Sequence, residues 1–227
     1  MTLAVDRLAY RSPQDLGIQA TRGIGLAVTN LSGELWIQQD ISGREQTGRK
    51  AGQLSIIFET GKPREPVQNN VLGAVSELAN DGTLHVVRNN LVTMDGLQST
   101  PRLYSANEGR PIDYSIAVVV FNGDNPDAMY NLEPHDAHET VPVGWMSPTD
   151  FLSLETEHVR PLARHAVGYL EAGGTIGRTL EDYRKNPDRR EQVIPPWYNV
   201  SEFHQQRERV GDPVPTTMQS NVFYTVA

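Results

Sequence analysis

Three groups of side chains in this sequence have types and spacings that could do chemistry. The first lies in NNVLGAVSELANDG, residues 69–82, where Glu77 and Asp81 stand four apart. Val71, Leu72, Val75 and Leu78 recur at three- and four-residue spacing, which predicts a short helix with one apolar stripe. On that helix the two acids share a polar face, ahead of Gly82 as a C-cap. Such a face could hold a hard cation, or it could be ordinary solvated charge. The second group is HDAHE, residues 135–139, with His135 and His138 three apart beside Asp136 and Glu139. A helical backbone would let the histidines share a transition metal, but the surrounding Pro, Asp and Asn favour a surface loop. The third is basic. Arg44, Arg49 and Lys50 precede the stretch LSIIFE and could meet phosphate oxygens, with a solvated loop as the plainer alternative.

The elements that must position these groups follow from the pattern. GIGLAVTN (23–30) and ELWIQQD (34–40), joined by a turn at LSG, predict a β-hairpin. SGREQTGRKAGQ (42–53) is a polar loop, LSIIFE (54–59) a short strand and TGKPREPV (60–67) a loop leading into the helix. LHVVRN and NLVTM are strand-like, whereas residues 95–111 have the composition of a loop or a twisted edge. YSIAVVVF (114–121) is apolar on both faces, as a mid-sheet strand must be. After the irregular stretch 122–140 come a strand at VPVGWM (141–146) and a helix at SPTDFLSL (147–154), with Ser147 or Thr149 as its N-cap. VRPLARHAVGYLEAG (159–173) is an amphipathic helix, and RTLEDYRKNPDRREQ supplies one more short helix. The rest is rich in proline and aromatic residues. Trp197, Tyr198 and Phe203 there could stack on a base or close a homodimer interface, but packing onto the chain's own domain is the preferred reading.

Composition narrows the classes. The chain has 227 residues, 38% hydrophobic and 21% charged, which suits a globular protein. A net charge of −8 without a basic block disfavours nucleic-acid binding. The absence of cysteine removes thiolate nucleophiles, disulfides and Cys-ligated zinc, and it fits a cytoplasmic protein. The longest apolar run, Ile116–Phe121, is far short of the ~20 residues that span a bilayer. The N-terminal MTLAVDRLAY lacks the apolar core of a signal peptide, so no membrane partner is expected. Asn30-Leu31-Ser32 and Asn199-Val200-Ser201 match glycosylation sequons too short to carry weight.

The element order resembles a Nudix domain, and residues 69–82 lie where that family keeps its signature helix. In register with the family's box, Lys62 falls at the first glycine, with Gly61 one place early. Gln68 then falls at the first glutamate and Ser76 at the arginine, while Glu77 and Leu78 match outright. Asn80 and Asp81 fall at the paired glutamates, Thr83 at the glycine and Leu84 at the final apolar position. GQLSIIFETGK (52–62) is similar to the approach to the box, and VPVGWMSPTDFLSL to the closing strand and helix.

The resemblance spans roughly residues 20–172 and implies an α/β/α sandwich around a mixed β-sheet. Residues 1–19 are an N-terminal segment and 173–227 a C-terminal helical or irregular extension on this reading. The bulk sequence reads as bacterial-type, and the resemblance further implies a hydrolase that cleaves the diphosphate bond of a nucleoside diphosphate linked to another group, with Mg²⁺ or Mn²⁺ held by Glu77 and Asp81. Asn80 and Gln68 would be secondary oxygen donors, leaving a metal site weaker than the family's. A general base would come from His135, Asp136, His138 or Glu139, since a histidine of pKa ~6.5 can serve near neutral pH. Arg44, Arg49, Lys50 and Lys62 would face substrate phosphate. The alternatives are a Nudix-fold binding or regulatory module for a phosphorylated metabolite, favoured by the substituted box, and metal-independent chemistry in the same cleft.

Overall fold

The computed structural model of the protein describes residues 21–43, 50–61, 67–94, 103–105, 112–209 and 223–225. The strands, in chain order, are β1 (Thr21–Thr29), β2 (Leu35–Asp40), β3 (Leu54–Ser55), β4 (Ile57–Thr60) and β5 (Leu91–Met94). They continue with β6 (Leu103–Ser105), β7 (Ile112–Phe121), β8 (Thr140–Met146), β9 (Arg190–Gln192) and β10 (Phe223–Thr225). The helices are α1 (Val67–Ser76), α2 (Leu84–Arg88), α3 (Pro148–Ser153), α4 (Pro161–Ala172), α5 (Thr175–Lys185) and α6 (Val200–Arg209).

β7 lies inside the sheet as its two-sided apolar character requires. It runs parallel to β1 from Thr21↔Ile112 to Thr29↔Val120, and antiparallel to β5 and β6. β1 also pairs antiparallel with β4 and, through Thr29↔Leu35, with β2, so the sheet is mixed. Side chains alternate strictly along β7. Ala117, Val119 and Phe121 enter one core, and Ile116, Val118 and Val120 enter the other. The first core is closed by α1, α2 and the tail residues Val193, Ile194, Tyr198, Val200 and Phe203. The second is closed by α3, α4 and α5 through Phe151, Leu162, Val167, Leu170, Ile176 and Leu180. The architecture is therefore an α/β/α sandwich around a mixed sheet, with residues beyond 172 adding to both cores. Among the described residues, no helix is long and apolar enough to cross a membrane.

Local chemistry explains several element ends. Asn30 builds the hairpin turn by accepting from the Ser32 and Glu34 amides at 3.0 Å. Ser147 caps α3 by accepting from the Asp150 amide at 3.0 Å, as the sequence predicts.

Three expectations need correction. LSIIFE is not one strand but two short ones, β3 and β4, interrupted at Ile56. LHVVRN is a helix, α2, although its paired valines favour a strand. The Asn80 side chain accepts from the Gly82 and Thr83 amides at 2.9 and 3.2 Å, which turns the chain helically and buries Leu84 and Val87 one turn apart. Third, α1 stops at Ser76 rather than reaching Gly82. The Ser76 carbonyl accepts from the His135 amide at 2.8 Å, and the Asn80 amide donates to the Glu133 carbonyl. Residues 133–135 thus take the hydrogen bond that would have continued the helix. Glu77 and Asp81 consequently do not share a helical face. The apolar stripe holds nonetheless, with Val71, Leu72, Val75 and Leu78 all buried.

Candidate functional site

Segments far apart in the sequence meet through hydrogen bonds at the end of α1. Several carbonyls along and just after the last turn of α1 accept from side-chain donors. Ser76 Oγ donates to the Gly73 carbonyl at 2.6 Å, Gln38 Nε2 to the Glu77 carbonyl at 2.7 Å, and Tyr198 Oη to the Leu72 carbonyl at 2.6 Å. Tyr198 is fully buried, and that burial pushes its phenol pKa up, which keeps it a donor.

α6 lies across this end of α1. Its first turn is capped from two sides. Asn199 Oδ1 accepts from the Glu202 amide at 2.9 Å. Asp81 accepts from the Val200 amide at 2.7 Å, from the Ser201 amide at 3.0 Å and from the Ser201 hydroxyl. Partial burial pushes the Asp81 carboxyl up. The Ser201 hydroxyl, the two amides and nearby His135 outweigh it and leave the group below the ordinary aspartate range.

Farther along α6, His204 Nε2 lies 2.9 Å from Ser76 Oγ, and the His204 ring stacks on His135 at 4.1 Å and 11°. Ser76 has a single proton and gives it to Gly73, so His204 must donate through Nε2. Ser76 is therefore not poised as a nucleophile with His204 as its base. At the last turn, Arg207 Nη1 sits 2.6 Å from Glu59 Oε1, with side-chain exposures of 8% and 14%, and Nη2 donates to the Thr60 carbonyl. Gly73 makes this approach possible. A Cβ there would lie 2.8 Å from both Arg207 Nη1 and Glu59 Cγ.

The expected site residues are distributed unevenly around this junction. His135 meets α6 directly. Asp136 and His138 are exposed and bound mainly to each other's turn, the Asp136 carboxylate accepting from the His138 amide at 3.0 Å. Glu139 is half-buried and its amide donates to the Asp136 carbonyl, so 135–139 is a loop, as its composition predicts. Gln68 is exposed in the first turn of α1, eight residues and therefore roughly 12 Å of helical rise from Ser76 at the end of the helix. Lys50 is exposed in the turn before β3, where its amide donates to Gln53 Oε1. Arg44, Arg49 and Lys62 lie outside the described residues.

These positions do not fit a shared Mg²⁺ or Mn²⁺ ion. The Asp81 carboxylate accepts three hydrogen bonds from α6, Asn80 Oδ1 accepts from the next turn, and Gln68 is two helical turns away. Among the described residues, one compact His/Asp/Glu triple stands apart from this junction. It is Glu155, Glu157 and His158, whose ligand atoms lie within 4.8 Å of one another, all exposed in a 3-10 turn after α3.

Sequence reasoning missed His204, Ser201 and Arg207, and it weighed Glu59 only as a conjectural oxygen ligand rather than as the partner of an arginine. One signal was available. Asn199-Val200-Ser201-Glu202 has the Asn-x-x-Glu form of a capping box, and Val200, Phe203 and Arg207 follow at helical spacing. The same Asn-Val-Ser triplet also matches a glycosylation sequon, and the Asn199 side chain serves as a cap.

The fold has likenesses among solved structures. It is similar to a NUDIX hydrolase from Nitrosomonas europaea at 13% identity and a TM-score of 0.44, covering 68% of this chain and 90% of that one. A C. elegans Ap4A hydrolase aligns at 12% identity and a TM-score of 0.45, covering 69% and 98%. A MutT protein from Methanosarcina mazei Go1 aligns at 14% identity and a TM-score of 0.42, covering 69% and 96%. No family model and no curated protein matches the sequence. At these values the likeness is one of outline.

Proposed function

We propose that this chain is a Nudix-like binding or regulatory module that retains a phosphorylated small molecule without divalent-metal hydrolysis. The observation that carries this reading is the engagement of Asp81. Its oxygens accept from the Val200 amide, the Ser201 amide and the Ser201 hydroxyl, so the carboxylate expected to hold a cation holds a helix instead. Asn80, the neighbouring expected donor, is likewise spent on the turn into α2. Hard-cation affinity falls as charged ligands are removed, and diphosphate hydrolysis of the Nudix kind needs that cation. The ligand class rests on the resemblance of the element order and on the basic positions Arg44, Arg49, Lys50 and Lys62.

A second reading, a hydrolase with a weakened metal site, draws on the placement of His135. Its amide binds the Ser76 carbonyl, so its backbone lies beside the residue that precedes Glu77, the one box glutamate that matches outright. One experiment separates the two. Nucleoside diphosphates linked to a second group are screened for cleavage with Mg²⁺ or Mn²⁺ and, in parallel, for thermal stabilisation of the protein. Stabilisation without cleavage is expected. Cleavage that disappears in both Glu77→Gln and His135→Ala would establish the hydrolase instead.

A further inference from the structure

Four of the six large apolar side chains that stand exposed among the described residues gather at one edge of the sheet. They are Ile41, Tyr130, Val141 and Val143. β8 carries two of them, and among the described strands it pairs with β2 alone, so it is an edge strand. The register Gln39↔Val141 and Asp40↔Thr140 puts Ile41 and Val141 on one face as diagonal neighbours. The Ile41 amide donates to the Glu139 carbonyl at 2.9 Å, which holds the two chains together there. Tyr130 belongs to the 3-10 turn Pro126–Asn131, and its ring rests on Gly144, where the missing side chain leaves room for it. It is nonetheless 48% exposed, beside Val143 at 39%. Apolar side chains gathered in this way and rimmed by polar groups mark interaction surfaces.

The rim is acidic. Residues 122–140 hold Asp124, Asp127, Glu133, Asp136 and Glu139, and no lysine or arginine occurs between Arg110 and Arg160. Asp124, Asp127, Glu133 and Asp136 are exposed and form no ion pair with a lysine or arginine among the described residues. Pro142 has no N–H to offer a further strand, and the register shifts between Ile37 and Gln38, so the edge is guarded against strand addition. We propose that this edge docks a basic segment of a partner protein, in which lysines or arginines alternate with apolar side chains. The acids attract and orient the cations, and Tyr130, Val141 and Val143 take the apolar residues. The proposal does not depend on a phosphorylated ligand.

Calorimetry on the full chain tests it, with a synthetic peptide that alternates lysine and leucine as the probe and no phosphorylated compound present. A lysine–serine peptide and a glutamate–leucine peptide are the controls. The lysine–leucine peptide should bind more tightly than either control and should weaken as salt rises. The paired change Asp124→Asn and Asp127→Asn should weaken it about tenfold, and so should Tyr130→Ala. Tyr130 also packs edge-on against Trp36, so Val143→Ser carries the apolar arm if that variant folds poorly. Glu191→Gln, which removes an exposed acid on β9, should leave binding unchanged. No binding, or equal binding of the lysine–serine peptide, would overturn the proposal. An equal loss in Glu191→Gln would do the same, since the chain's net charge of −8 would then be the whole attraction. Sedimentation showing dimers that Val143→Ser disperses would assign the edge to a second copy of the chain and overturn it as well.

Discussion

The two helical layers that cover the sheet are built differently. α3, α4 and α5 come from one contiguous stretch, and the layer they form packs through apolar residues such as Leu162, Val167, Leu170 and Leu180. Among its polar ties are those of Arg164, which donates to the carbonyls of Leu152 and Leu154, twelve and ten residues away. The opposite layer combines α1 and α2 with a tail from the far end of the chain. There the polar ties span 119, 128 and 147 residues, from Asp81 to Val200, Ser76 to His204 and Thr60 to Arg207. The contiguous layer also has a distant tie, from Arg184 to the Leu31 carbonyl 153 residues away, but its helices are brought together first by short loops and apolar periodicity. A returning tail has no such guide, and directional hydrogen bonds and an ion pair supply it.

The largest effect that tests this difference should come from Arg207. Removing it takes the Arg207 guanidinium away from the Glu59 carboxylate at 14% exposure, and breaking a buried pair from one side typically costs about 3–5 kcal/mol. Chemical denaturation of Arg207→Ala should show a loss of that order. The double variant Glu59→Leu/Arg207→Met removes both charges and should recover at least half of it. If the double variant is no better than the single one, the pair contributes through packing and the contrast between the layers weakens.

Gly73 sharpens the same point with a smaller effect. In a helix interior, alanine is favoured over glycine by about 1 kcal/mol. Here the new Cβ would press on Arg207 Nη1 and Glu59 Cγ, both 2.8 Å away, and overpacking of this kind costs about 1–3 kcal/mol. Gly73→Ala should therefore destabilise the chain by roughly 1 kcal/mol on balance. In an Arg207→Ala background the cost should fall to about zero, because half of the obstruction is gone while Glu59 Cγ remains. Melting curves of the four proteins complete the cycle.

How much of this was legible in the sequence divides along the same line. The central strand, the hairpin, α4 and the cap at Ser147 follow from local pattern, because each depends on residues a few positions apart. The buried stripe Val71, Val75 and Leu78 was legible for the same reason. The end of α1 was not. Helical periodicity continues past Ser76, but His135 takes the carbonyl that would extend the helix, and nothing near residue 76 announces a partner 59 residues away. Asp81 was legible as an acid but not as a cap, since its donors lie in another helix. The reading of LHVVRN as a strand failed for a related reason. Its valines carry strand propensity, yet the turn made by Asn80 sets the backbone before propensity can act.

The smallest expected effect concerns the charge on Asp81, and its sign can be worked out. The folded chain holds this carboxyl below its ordinary value, so the folded state binds the proton less readily than the unfolded one. A depressed carboxyl contributes stability that is fully present above the unfolded pKa of about 3.9 and is lost as pH falls through the lower folded value. Asp81 is exposed, so solvent screens the contribution and the effect should be modest. Urea denaturation from about pH 7 down to about pH 3 should show a constant gap between the unaltered chain and Asp81→Ala until about pH 5, narrowing below that. Added salt should shrink the charge-dependent part of the gap, whereas the hydrogen bonds to the Val200 and Ser201 amides should persist. A gap that widens on acidification would mean that Asp81 is stabilised in its protonated form, and the helix would then be held by something other than a carboxylate under its first turn.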